Sequence, residues 1–348
     1  MAEISLLNEW RRKKMKKTLL FVATAVAALV SCEKNQEPAN EYTTSEVKGI
    51  PMTLTANIAG ATKTSYADNG SGLKETWNAE ESISIVTLDG DNGNIVSVDT
   101  FTSNGEAGRS SATFSGTFTG GGSPVKVIAI YPALTMSGGM YRTPTYKDRY
   151  GNNARILYNG SGNNFQYSQN IEVKQTANAD FGHLSNYCLM SGAVDIDDIK
   201  NGTLTVSLSN LMTILKIVVT LPASYKGKTF SKIQMNCYTD GATDFNMFAG
   251  GGGKEYVDQV ASPISGSDKA PLSSRVLYGD FAVPETGVVT LYMPFVLAES
   301  SIKSGYYWIF TAFVDGVQAG SDVTIKTFTK DVTLQRGYMY TANVVVPE

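Results

Sequence analysis

From Ile50 onward, short runs alternate apolar and polar residues, and each run predicts a strand because successive side chains of an extended chain point to opposite faces. Met52, Leu54, Ala56 and Ile58 share a face of "PMTLTANIA", and Ile83 and Ile85 share one in "ESISIV". Leu204, Val206 and Leu208 do so in "TLTVSLS", as do Tyr340, Ala342, Val344 and Val346 in "YTANVVV". Helical spacing is nearly absent. Between the runs lie "DNGSG" (68–72), "LDGDNGN" (88–94), "GGGSP" (120–124), "NGSGNN" (159–164) and "VDGVQAG" (314–320), whose Gly and Asn supply the positive φ of tight turns. The pattern predicts an all-β chain of sandwich type. An acidic turn, "DIDDIKNGT" (195–203), precedes the apolar run "LMTILKIVVTL" and divides the fold into expected domains at 50–198 and 203–348.

The first 49 residues have no such alternation. Lys16 and Lys17 precede twelve uncharged residues, Leu19 to Val30, followed by Ser31 and Cys32. A spanning helix needs about 20 apolar residues, so this run suits a secretory signal with a basic head and a small residue at the cut. Leu29-Val30-Ser31-Cys32 resembles the bacterial lipobox, which implies lipidation of Cys32 and removal of the signal 15–31. Residues 1–14 read as an upstream start extension. The polar stretch 32–49 reads as a tether between lipid and fold.

Removal of the first 31 residues would leave 317, enough for one large or two ordinary domains. The leader carries six of the 29 Lys/Arg and two of the 32 Asp/Glu, so the remainder holds 23 basic against 30 acidic side chains. That acidic balance argues against nucleic acid as a partner. Cys188 and Cys237 are the only cysteines beyond Cys32, and they read as two buried free thiols or as one disulfide across the domain division.

Catalytic chemistry finds little to stand on. His183, in "FGHLSNY", is the only histidine, and no nucleophile motif such as G-x-S-x-G accompanies it; it reads as structural. His and Cys are too few for a zinc site. "LDGDNGN" offers Asp89, Asp91 and Asn94 as calcium ligands, but Gly93 comes one place early for an EF-hand loop and Thr100 stands where the bidentate Glu belongs. A hairpin turn is the simpler reading. In "GGGGKE" (250–255), Phe248 and Glu255 replace residues that a phosphate loop requires. No cofactor and no enzymatic activity are expected.

The Tyr/Asn/Gly-rich stretch 138–167 is either a long connection or a ligand loop in which Tyr141, Tyr146, Tyr150 and Tyr158 would meet a host protein or glycan. Trp77 and Trp308 sit in strand-like contexts and are expected in the core.

"TKTSY" (62–66) with Trp77 in "ETWNAEESISIV", "ATFSGTF" (112–118) with "VIAIYPA" (127–133), "SLSNLMTILKIVV" (207–219) and "LQRGYMYTANVVV" (334–346) follow one another in an order that resembles the fimbrillins, the type V pilins and fimbrillin-like lipoproteins of Gram-negative bacteria. The resemblance spreads over most of the chain after Cys32. It implies two transthyretin-like sandwich domains, a lipid-anchored precursor at the outer membrane or cell surface, and a structural or tip role in an adhesive fimbria. The implied partners are other pilin subunits, or copies of the chain itself.

In that family an Arg- or Lys-directed protease removes the first strand, and a neighbour's terminal strand fills the groove. Strand donation works because an opened sheet leaves unpaired backbone groups and empty side-chain pockets. The face of Leu54, Ala56 and Ile58 and that of Ala342, Val344 and Val346 are the expected exchange segments. No arginine lies between Cys32 and Arg109, so maturation would have to use Lys48 or Lys63. The last run closes two residues before Glu348, which makes it either the donor itself or the end of a tip subunit that has none. The rival reading is a monomeric outer-membrane lipoprotein that binds a glycan or host protein.

Overall fold

The computed structural model describes residues 49–59, 65–68, 73–89, 94–105, 107–120, 126–137, 140–147, 153–155, 159–161, 164–167, 173–195, 197, 199, 201–245, 247–249, 253–254, 271–297, 301–320 and 324–348. The chain is all-β. Thirteen strands carry the architecture: β1 (Ile50–Ala59), β2 (Ser82–Asp89), β3 (Asn94–Ser103), β4 (Ser111–Phe118), β5 (Lys126–Tyr131), β6 (Met190–Val194), β7 (Thr203–Asn210), β8 (Thr213–Thr220), β9 (Thr229–Tyr238), β10 (Ser274–Ala282), β11 (Val288–Phe295), β12 (Tyr307–Val314) and β13 (Met339–Val345).

The first seven form a closed barrel in the order β1-β7-β6-β5-β2-β3-β4, with β4 pairing back to β1. Closure matters because a barrel has no edge to leave unpaired. Its interior holds Leu54, Ala56, Ile83, Ile85, Phe101, Phe114, Val127, Ala129, Leu204, Val206 and Leu208. The alternating faces of β1, β2 and β7 therefore point inward as their sequences require. Gly116 makes room for a large neighbour, since a Cβ there would lie 2.7 Å from the Phe101 ring on β3. Trp77 is fully buried among Phe114 and Tyr131, meeting their rings edge-on at 5.1 and 5.4 Å.

Some strands depart from simple alternation. "KVIAIY" is buried on both faces: Val127, Ala129 and Tyr131 face the barrel interior, while Ile128 and Ile130 join Val86 and Leu88 of β2 in a second core. A strand covered on both sides has no solvent face to keep polar, and this one reads as a continuous apolar run.

That second core fills a two-layer sandwich. One layer orders Val173–Lys174, β10, β9, β12 and Val317–Gln318, with Thr324–Thr327 also on β12; the other orders β11-β8-β13. Phe230, Ile233, Met235 and Cys237 of β9 face Leu215, Ile217 and Val219 of β8 within the cluster. A bulge between Phe230 and Lys232 resets the alternation of β9. Lys232, Gln234, Asn236 and Tyr238 consequently lie outward.

The changeover between the sheets differs from the expected division. Within 195–203 the Asp195 carboxylate accepts the Asp197 N–H at 2.9 Å, and Gly202 has φ 76°. Yet β7, expected to open the second domain, pairs with β1 and β6 and closes the barrel. The sheets change at Leu211–Met212, nine residues later than 203 at most, because Leu204, Val206 and Leu208 complete the barrel interior.

The Tyr-rich stretch 138–167 is not one long connection. Met140–Arg142, Asn159–Ser161 and Asn164–Tyr167 join Thr135–Ser137 and Gly253–Lys254 in a small five-stranded sheet, and Thr145–Lys147 pairs with Asn153–Arg155 as a hairpin. The "GGGGKE" segment thus contributes a strand through Gly253–Lys254.

Candidate assembly interface

The two terminal strands flank one nearly continuous stretch of chain. β7 and β8 are separated only by Leu211 and Met212; β1 runs parallel to β7 from Thr53 against Thr203 to Ala59 against Ser209. β13 runs parallel to β8 from Met339 against Ile214 to Val345 against Thr220. Asn210 shapes the junction by accepting the Met212 N–H on its side-chain oxygen at 2.6 Å.

The two strands differ in how they are held. β1 has a ladder on each side, parallel to β7 and antiparallel to β4, with Met52, Leu54 and Ala56 buried in the barrel core and Ile58 packed at its margin. β13 is the last strand of its sheet, anchored by Ala342 and Val344 on its inner face and followed by buried Val346. All six exchange-segment residues named from the sequence therefore point into a core.

The opposite side of the sandwich is stapled by a segment that has no strand pattern. Val173–Lys174 pairs in parallel with Leu277 and Tyr278 of β10. The chain then crosses to β11, where Gln175 Nε2 donates to Thr290 O at 2.9 Å and Gln175 Oε1 accepts the Tyr292 N–H at 3.0 Å. Asn178 Oδ1 accepts the Thr290 N–H at 2.7 Å, and its Nδ2 donates to Val288 O at 3.3 Å. Two side-chain amides thereby replace the missing ladder, since each offers a donor and an acceptor with peptide-like geometry. Both edges are covered, and neither amide was legible as functional in the sequence.

His183 finishes the staple. It lies on a short 3₁₀ turn, Gly182–Tyr187, with Nε2 2.8 Å from Tyr292 O. A carbonyl only accepts, so Nε2 carries the proton. Burial holds the imidazole below its usual pKa, partly offset by the Tyr292 carbonyl and the nearby Asp180 charge.

Comparison with solved structures finds similarities over most of the chain at low identity. A candidate cell adhesion protein from Bacteroides ovatus matches with 11% identity over 85% of this chain and 92% of its own, at a TM-score of 0.42. A candidate cell adhesion protein from Bacteroides uniformis matches at 12% identity, 86% and 93% coverage, and a TM-score of 0.39. The fimbrial anchor protein Mfa2 from Porphyromonas gingivalis matches at 10% identity, 75% and 78% coverage, and a TM-score of 0.31. No protein-family model matches the sequence, and no curated protein matches it either.

Of the remaining sequence-named residues, Cys32, Lys48, Lys63, Tyr150 and Tyr158 lie outside the described residues, as do Asp91 and Gly93. Tyr141 packs against the large core, and Tyr146 pairs with Ala154 through the backbone of the small hairpin. Asp89 pairs with Asn94 at the base of the β2–β3 hairpin. Cys188 and Cys237 are buried in different cores and are not bonded to each other, which removes the disulfide alternative.

Proposed function

We propose that this chain is a subunit of a cell-surface adhesive fimbria, exported as a precursor lipidated at Cys32 and joined to its neighbours by strand exchange. The observation that carries this reading is the position of β1, a ten-residue strand that closes the barrel between β4 and β7. Its loss would expose two ladder edges and the sites of Met52, Leu54 and Ala56 together, a groove shaped for another alternating strand. Lys48 precedes β1 and Lys63 follows it, so a cut at either changes the connection of that strand to lipid or to fold. β13 supplies an alternating strand at a sheet end, in keeping with a donor role.

One observation favours the solitary lipoprotein instead. β1 is satisfied on both sides by the chain's own strands, so the uncut protein needs no partner. The two readings part on one experiment: limited trypsin treatment, then unboiled gels, for wild type and for a truncation after Gly337. Ladders from cut wild type that disappear in the folded truncation support a stalk subunit with a C-terminal donor. Monomeric cut protein that antibody labelling places at filament ends indicates a tip subunit. Absence of label from every filament would overturn the fimbrial reading and leave the solitary lipoprotein, whose partner is a glycan or host protein.

A further inference from the structure

The outer face of the β10–β9–β12 layer has an unusual order of side chains. Strand register sets them in rows: Tyr278, Lys232 and Phe313; then Val276, Gln234 and Thr311; then Ser274, Asn236 and Ile309; then Tyr238 and Tyr307. Tyr238 and Tyr307 stack with centroids 5.3 Å apart and ring planes 23° from parallel. At the other end the Lys232 ammonium sits 4.2 Å from the Phe313 ring centroid. Between them Gln234 Nε2 donates to Asn236 Oδ1 at 3.2 Å.

We propose that this face is a binding site for a neutral oligosaccharide. Three features select that class. Rings stand at both ends, and the middle rows carry Gln234, Asn236, Ser274 and Thr311 beside Val276 and Ile309, a more polar centre than that of a protein–protein contact. A sugar chain suits the arrangement because its C–H faces stack on rings while its hydroxyls need donors and acceptors in between. The Gln234–Asn236 bond uses one donor and one acceptor and leaves Gln234 Oε1 and the Asn236 amide hydrogens to serve a ligand.

Charge is the second feature. The outward positions of β9 and β12 hold one ionic group, Lys232, which is already placed over Phe313, and Asp280 at the β10 margin is tied to Lys174 at 3.2 Å. A face without a cluster of cations has little to hold a sialylated or sulfated chain. The third feature is length: six residues separate the Lys232 and Tyr238 rows, about 20 Å at the antiparallel rise, the reach of a short oligosaccharide. Trp77 and Trp308 do not contribute, since both are buried, and the site shares no residue with the Tyr141–Tyr158 stretch.

This proposal does not rest on filament assembly. The probe is a printed panel of neutral and sialylated oligosaccharides, exposed to the whole protein and to Tyr238→Ala, Asn236→Ala and the control Tyr141→Ala, with urea midpoints to establish that each is folded. The expected result is retention on neutral members, insensitive to added salt, weakened about tenfold or more by Tyr238→Ala and by Asn236→Ala. The control should bind as wild type does. Three outcomes overturn the proposal: no neutral member retained by folded protein, retention confined to sialylated members, or retention by folded Tyr238→Ala and Asn236→Ala that equals wild type. A dimer that Tyr238→Ala dissociates, with no glycan retained, would reassign the face to a second copy of the chain. None of these bears on the gel ladders that test assembly.

Discussion

Gln175 holds the edge of β11 through Tyr292: its Oε1 accepts the Tyr292 N–H at 3.0 Å while its Nε2 donates to Thr290 O at 2.9 Å. The side chain is fully buried, so its removal leaves the Tyr292 N–H without its acceptor, whereas Thr290 O keeps the Ala179 N–H at 3.0 Å. Gln175→Ala should cost about 2 kcal/mol, from roughly 1–3 kcal/mol for the one orphaned donor. Urea unfolding measures it, and an unchanged midpoint would mean that the staple contributes nothing to the sandwich.

Trp77 fills the barrel between Phe114 and Tyr131. Trp77→Ala should lower stability by about 3–5 kcal/mol, the usual range for a large aromatic removed from a core. Trp77→Phe should cost less, because the indole Nε1 makes no hydrogen bond that the phenyl ring would forfeit. If Trp77→Phe proved as damaging as Trp77→Ala, ring area would not be what matters at this position.

His183 predicts a pH effect with a definite sign. Its folded pKa lies below the ordinary value, chiefly through burial, so in mild acid the unfolded chain takes up the proton first. Stability contributed by the neutral imidazole is complete above about pH 6.5 and falls as pH drops from there toward the folded pKa. The carboxylate of Asp180 works against the shift but does not reverse it. The urea midpoint should fall between about pH 7.5 and pH 5 in wild type and fall less in His183→Gln. Parallel curves for the two proteins would assign the pH dependence to other groups.

Cys188 and Cys237 should be inert in the folded protein. They lie in separate cores, and burial pushes the Cys237 thiol well above its ordinary pKa. A thiol reagent should label neither until urea unfolds the chain, since only a thiolate that solvent can reach reacts. Labelling of Cys237 at the folded-state concentration of urea would place it at the surface.

Local pattern made the inward faces legible. Leu54, Ala56, Ile83, Ile85, Leu204, Val206, Leu208, Ala342 and Val344 are all buried, because alternation is a property of a few adjacent residues. Sheet membership is not local. Thr203–Asn210 reads the same whether it opens a second domain or closes the first, and its parallel partner lies some 150 residues away at Ile50–Ala59. Gln175 and Asn178 were invisible for another reason: a side-chain amide that imitates a strand has no periodicity to betray it. The bulge after Phe230 hid the start of β9: Phe230 points inward and Lys232 outward although they stand two residues apart, so unbroken alternation would have put them on one face.

The parallel placement of β1 and β13 along β7 and β8 also fixes how the fold would bear a load. A pull applied at Ile50 and at Val345 draws β1 backward along β7 and β13 forward along β8, because each terminal strand runs in the same direction as its neighbour. Both ladders are then strained along their length, with their hydrogen bonds sharing the force instead of opening one by one from an end. Tension between the two terminal strands therefore meets a pair of shear clamps in series, joined at Leu211 and Met212.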